Sequence, residues 1–130
     1  MDDELRYLER LSSLRYWLRR IPSSEITITH TRVAVDGLPE PELIEGHQPD
    51  LLARGPSGKL IIGLIHPGPD FSDDQSLERF RVLGNFIDPE SDERAALNVA
   101  VPKDLRDPAE AGLRAAGLTP EEFNVLGLPR

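Results

Sequence analysis

Apolar residues near the start of the chain, Leu5, Leu8, Leu11, Leu14, Leu18 and Ile21, return at steps of three and four and stop at Pro22. That spacing lays one stripe along a helix, and a proline cannot continue it, so the pattern predicts an amphipathic helix over residues 2 to 21. From residue 25 the period becomes two. Ile26 and Ile28 alternate with threonines, and Val33 and Val35 follow in the opposite phase. A strand keeps one face only while the period of two is unbroken, so 26–35 reads as a strand with a bulge or break near residues 30 to 32. The turn-rich run DGLPEPELIEG then leads to two more strands, 49–54 and 59–66, joined at Gly55-Pro56-Ser57-Gly58. Residues 60–65, LIIGLI, carry no polar side chain. Only a strand covered on both faces hides such a run, which predicts a place in the middle of a sheet.

After the break at Gly68-Pro69, Ser72 and Gln75 resemble a capping box opening a helix from about 73 to 87, with Leu77, Phe80, Leu83 and Ile87 as its buried stripe. Residues 96–102 return to strand, with Leu97, Val99 and Val101 on one face. Asp107-Pro108 has the N-cap and first-turn chemistry of a further helix, Gly117 suits its C-terminal end, and FNVLGL reads as a short edge strand. The resulting order, α-β-β-β-α-β-α(-β), is that of an α/β (α+β) domain spanning 1–130, with a central mixed β-sheet flanked by helices. Three strands in succession predict an antiparallel meander, and the strand–helix–strand passage after them a crossover.

Composition narrows the chemistry. The chain has no cysteine, which excludes thiolate catalysis, disulfides and cysteine-ligated metals. No window approaches the roughly 18 apolar residues of a membrane span, so no membrane association and a soluble, cytoplasmic protein are expected. The formal net charge of -8 opposes approach to a phosphate backbone and disfavours nucleic acid as a partner. Arg6, Arg10, Arg15, Arg19 and Arg20 on the first helix are interleaved with Glu4 and Glu9, the pattern of a solvated face. Aromatic residues make up only 5% of the chain, and Tyr16 and Trp17 stand inside the helical pattern, so binding of single strands by base stacking is not indicated.

The stretch HQPDLLARGPSGKLIIGLIHPG, residues 47 to 68, carries a resemblance. Pro49-Asp50 starts one central strand and a glycine-containing turn leads into the next, within the order helix, three strands, helix, strand; this resembles the PD-(D/E)XK, or restriction-endonuclease-like, nuclease superfamily over nearly the whole chain. The resemblance implies that Asp50 matches the first metal-binding aspartate. It also implies that Gly63 stands where the second acidic residue belongs and Ile65 where the lysine belongs. Magnesium needs several oxygen ligands in near-octahedral geometry, and phosphodiester hydrolysis needs that metal. With Asp50 retained and positions 63 and 65 degenerate, no catalytic residue, metal or other cofactor is expected, and the domain reads as a pseudo-nuclease that acts by binding.

The alternative is an active magnesium- or manganese-dependent nuclease whose ligands have migrated to Asp50 with Glu45 or Asp70. Acidic residues at a helix start also have an ordinary role, complementing its dipole. The histidines His30, His47 and His66 form no zinc-spaced pair, although His47 beside Pro49-Asp50 is placed to line a residual pocket. Lys59 lies about 13 Å along the strand from Gly63, too far to replace the missing lysine. Ser57 and Ser72 lack a nucleophile-elbow context, and no phosphate-binding loop is present. A small acidic domain of this kind is expected to bind another copy of itself, as a homodimer, or a protein partner, with nucleic acid held without cleavage as the option that the net charge disfavours.

Overall fold

The computed structural model describes residues 2–19, 26–32, 37–55 and 58–128. Ile21 and Pro22, the Val33–Val35 half of the first expected strand, and Pro56 and Ser57 of the expected turn lie outside the described residues. So do Arg20 and the side chains of Glu4, Leu5, Arg6, Trp17 and Arg19.

The apolar run 60–65 fixes the architecture. It forms β3 (Leu60–Ile65), buried at every position, as the middle strand of a five-stranded sheet. On its two sides lie β2 (Leu51–Arg54), antiparallel to it, and β6 (Ala96–Pro102), parallel to it. β1 (Thr27–Thr31) pairs antiparallel with β2 at one edge, and β7 (Phe123–Leu128) pairs parallel with β6 at the other. The fold is therefore α+β, with a mixed sheet formed by a meander and crossovers. The phase change expected in the first strand appears as a register shift between Ile28 and His30.

Strand parity explains why β3 carries no polar side chain. Its odd positions, Ile61 and Ile65, pack in a cluster with Leu11, Leu14 and Leu18 of α1 (Asp2–Arg19) and with Leu51, Ala53 and Ala100. Its even positions, Leu60, Ile62 and Leu64, pack with Leu97, Val99 and Val101 of β6. Over that second face lie Phe80 and Leu83 of α2 (Asp74–Gly84) and Ala109 and Leu113 of α3 (Arg106–Ala115). The sheet is sandwiched, α1 on one side and α2 with α3 on the other.

Three details differ from the expectation. The capping box at Ser72 does not form: Asp73 is the N-cap of α2, and the Ser72 N–H donates to Asp70 Oδ1 at 3.0 Å, a local turn that competes with the helix. α2 ends at Gly84 rather than near 87, where Asn85 Nδ2 caps the Arg81 carbonyl at 2.7 Å; Leu118 packs so close to Gly84 that a Cβ there would lie 2.5 Å from its Cδ1. Ile87 leaves the helical stripe and is exposed, in a small hairpin of β4 (Ile87–Asp88) and β5 (Glu93–Arg94) that the sequence pattern does not announce. α3 starts one residue before the expected cap, at Arg106, behind a 3₁₀ turn over Lys103–Leu105; Asp107 sits inside its first turn, where its charge still complements the dipole. Its end is as expected. Gly117 has φ +95, and the N–H groups of Gly117 and Leu118 return to Arg114 and Leu113 carbonyls, the glycine-based helix termination that needs a left-handed residue.

Candidate functional site

Asp50 immediately precedes β2 and is 1% exposed. Beyond the start of β2 the Ile65 N–H of β3 has no neighbouring strand on that side, and it donates to Asp50 Oδ2 at 2.7 Å. The Tyr7 hydroxyl, from α1, donates to Oδ1 at 2.7 Å. Arg79, from α2, reaches Oδ2 through Nη2 at 3.3 Å, and Arg32, just after β1, places Nη1 3.6 Å from Oδ1. One carboxylate thus joins four segments of chain, and both of its oxygens are engaged. Burial, followed by the charge of Asp50 and the hydrogen bond to it, pushes the Tyr7 hydroxyl above its ordinary range and keeps it a donor. The Arg32 guanidinium also lies over the Tyr7 ring, 5.6 Å from its centroid.

Above this cluster opens a cleft of about 370 Å³ lined by Arg32, Arg79, His47, Gln48, Ile65, His66, Gln75 and Ser76, among others. Arg79 is pinned at its floor, since the same Nη2 also donates to the Gln48 carbonyl at 3.0 Å. His66 is held at both ring nitrogens. The Gly68 N–H donates to Nδ1 at 2.9 Å, so the ring proton sits on Nε2 and is donated to Ser76 Oγ at 2.9 Å. Burial and the positive charge of Arg79 lower its pKa from 6.5, favouring the neutral ring. With both nitrogens occupied, His66 is not placed to take a proton from a substrate or from Ser76.

Positions 63 and 65 face α1. A Cβ at Gly63 would stand 2.9 Å from Leu14 Cδ2 and 3.2 Å from Leu51 Cβ, so the helix fills the space that an acidic side chain would need. Ile65 is buried in the same cluster. Glu45 (φ 48) and Gly46 (φ 85) form the two central residues of a tight turn closed by paired hydrogen bonds between Ile44 and His47, and Glu45 is exposed there. Asp70 is also exposed and engaged by the Ser72 N–H. His47 faces Glu78, with Nε2 3.9 Å from Oε2, while His30 Nδ1 meets Thr29 Oγ1 at 2.7 Å on the edge strand. Lys59 lines a separate cleft with Arg94, Glu121 and Glu122.

A divalent cation does not fit this donor set. Hard cations require several converging oxygens, whereas Asp50 alone contributes here and guanidinium groups already occupy its surroundings. Among the described residues no group of three or more acidic or histidine side chains is arranged to hold a metal, and Asp50, Glu45 and Asp70 do not converge.

Sequence reasoning reached Asp50 and His47 but missed Tyr7, Arg32 and Arg79. Arg79 left one signal. It stands three residues after Ser76 and four before Leu83, on the buried side of α2, where an unpaired arginine would be costly. Comparison of the chain with protein-family models, with curated proteins and with solved structures finds no match. No helix among the described residues is long and apolar enough to cross a membrane.

Proposed function

We propose that this chain is a catalytically inactive, nuclease-like domain that acts by binding. The order of helix, three-strand meander, helix and parallel strand, with Asp50 at the start of β2, supports the nuclease-like part of the reading. One observation carries the inactive part: both oxygens of the single retained carboxylate are committed to Tyr7, the Ile65 N–H, Arg79 and Arg32. A metal at Asp50 would have to displace two guanidiniums, and Gly63 and Ile65 offer it no further oxygen. Without the metal there is no group to lower the pKa of an attacking water or to balance charge on the leaving oxygen.

The competing reading, an active enzyme using Asp50 with Glu45 or Asp70, makes opposite predictions. Under the inactive reading, millimolar magnesium or manganese leaves the melting temperature unchanged, gives no saturable heat in calorimetry, and supports no cleavage of single- or double-stranded DNA or RNA. Saturable manganese binding that is lost in Asp50→Asn, or metal-dependent cleavage, would sink the proposal.

A further inference from the structure

We propose that the cleft over Asp50 is a metal-free site for a single phosphate dianion, as carried by a small phosphomonoester, held by Arg79 and Arg32. The proposal rests on the metal-free reading of the same site. Arg79 carries the argument. Both of its protein hydrogen bonds leave from Nη2, to Gln48 O and Asp50 Oδ2, so Nε and Nη1 have no partner among the described residues and neither is sealed from solvent. Its side chain is 25% exposed and forms part of the cleft wall. Anchored at Nη2, which both bidentate edges of the guanidinium share, Arg79 holds Nη1 and Nε in fixed orientations as separate charge-assisted donors for phosphate oxygens rather than as a two-pronged fork. Because the side chain is already ordered, little conformational entropy remains to be lost on binding.

Charge points to the same ligand. Asp50 is faced by two guanidiniums, so the cluster keeps a positive charge that the carboxylate does not cancel. Arg32, whose side chain is 52% exposed, supplies the second cation at the mouth. Gln75 and Ser76, in the first turn of the 11-residue helix α2 and one turn before Arg79, also line the cleft, where the positive end of the helix dipole adds to the field. Pro67, which is exposed, gives the cleft an apolar side against which the organic part of an ester can rest.

The surroundings select a small ligand over a polymer. The charges of Asp70 and Asp73 are felt at His66 inside the cleft, Glu78 stands at its rim beside His47, and the whole chain carries a formal charge of -8. A nucleic-acid backbone running past the mouth would meet these acids at each successive phosphate. A compact dianion engages the two arginines and avoids them. The volume, about 370 Å³, lies at the small end of the range for small-molecule sites.

The test is a titration of the whole chain, followed by amide chemical shifts and calorimetry, without metal. The probes are methyl phosphate, inorganic phosphate, dimethyl phosphate and a single-stranded oligonucleotide. Methyl phosphate is expected to saturate, at least about tenfold more tightly than the singly charged dimethyl phosphate. Inorganic phosphate binding as well as methyl phosphate assigns the site to the free ion; weaker binding assigns it to the ester. Arg79→Lys, which keeps the charge and loses the anchored guanidinium with its fixed donors, should weaken methyl phosphate about tenfold. Arg32→Gln, whose fold is checked by its amide spectrum because Arg32 also pairs with Asp50, should weaken it severalfold. The proposal is overturned if methyl phosphate gives no saturable response, if both folded variants bind it like the parent, or if dimethyl phosphate or the oligonucleotide binds as tightly. Repeating the titration with manganese separates the two readings. Phosphate binding that appears only with metal breaks the metal-free reading, whereas absence of phosphate binding with no metal binding breaks this proposal alone.

Discussion

Asp50 and Asp88 are both buried carboxylates held by arginine, and they do opposite things with the charge. Asp88, in β4, receives both terminal nitrogens of Arg54 together with Ser91 Oγ at 2.9 Å and the Glu90 N–H at 3.3 Å. Arg54 spends its remaining donors on Gly58 O at 3.1 Å and Glu90 Oε2 at 2.6 Å. That cluster has one cation against two acids, Asp88 and Glu90, and every donor of the Arg54 fork end is used. It is a clasp that pins the β4–β5 hairpin to β2. The Asp50 cluster has two cations against one acid, and Arg79 keeps Nε and Nη1 without a partner among the described residues. The same pair of residue types thus closes one region and leaves the other poised to bind. The distinction lies in the balance of cations and acids in each cluster, not in burial.

The largest expected difference between them is energetic. Asp50→Ala leaves two guanidiniums, a tyrosine hydroxyl and a buried backbone N–H without their acceptor, and should cost about 3 kcal/mol of global stability by chemical denaturation. Asp88→Ala should cost about 2 kcal/mol and act locally, raising hydrogen exchange in residues 86–95 with little change elsewhere. A greater global loss at Asp88 than at Asp50 would reverse the comparison.

A smaller effect is expected at Gly63. Gly63→Ala forces Leu14 and Leu51 to shift and should cost about 1–2 kcal/mol. In a double-mutant cycle with Leu14→Ala the two losses should be less than additive, since the smaller residue makes the room; strict additivity would show that α1 does not press on position 63.

The smallest effect is a pH dependence at His66. Its pKa is lowered on folding, so below the unfolded value of 6.5 the unfolded chain takes up a proton that the native ring resists, and stability falls as the pH drops through that value. His66→Gln should flatten the decline in denaturation midpoint between pH 7 and pH 5, measured against the parent. An unchanged slope would place the titrating group elsewhere. The depressed Asp88 carboxyl contributes in the same direction at lower pH, losing stability as the pH falls below the ordinary value of 3.8, because its hydrogen bond from Arg54 favours the ionised form.

The strands were legible because burial on both faces of β3 leaves an uninterrupted apolar run, and because β6, also buried on both faces, puts its large apolar residues Leu97, Val99 and Val101 on one of them and the smaller Asn98 and Ala100 on the other. The β4–β5 hairpin was not, because two-residue strands held by Arg54 and Asp88 owe nothing to apolar periodicity. The site was legible only in part for a related reason. Asp50 stands out beside Pro49, but its partners come from elements 43 residues away at Tyr7 and 29 away at Arg79, and charge pairing across such separations leaves no local pattern. The glycine at 63 was visible in the sequence as the one residue without a side chain in an otherwise apolar run. Its cause, the descent of Leu14 onto β3, belongs to packing between distant elements.

That contact also orders the mutational paths open to the chain. An acidic side chain at position 63 would enter space already held by Leu14 and Leu51, so the substitution is expected to be tolerated only after Leu14 has become smaller. The reverse sequence passes through an intermediate with a carboxylate driven into an apolar cluster. Each step alone is unfavourable, one by leaving a cavity and the other by crowding. Position 63 therefore works as a ratchet in sequence space: moving toward glycine lets the helix settle, and moving back requires a prior, separately disadvantageous change in another part of the chain.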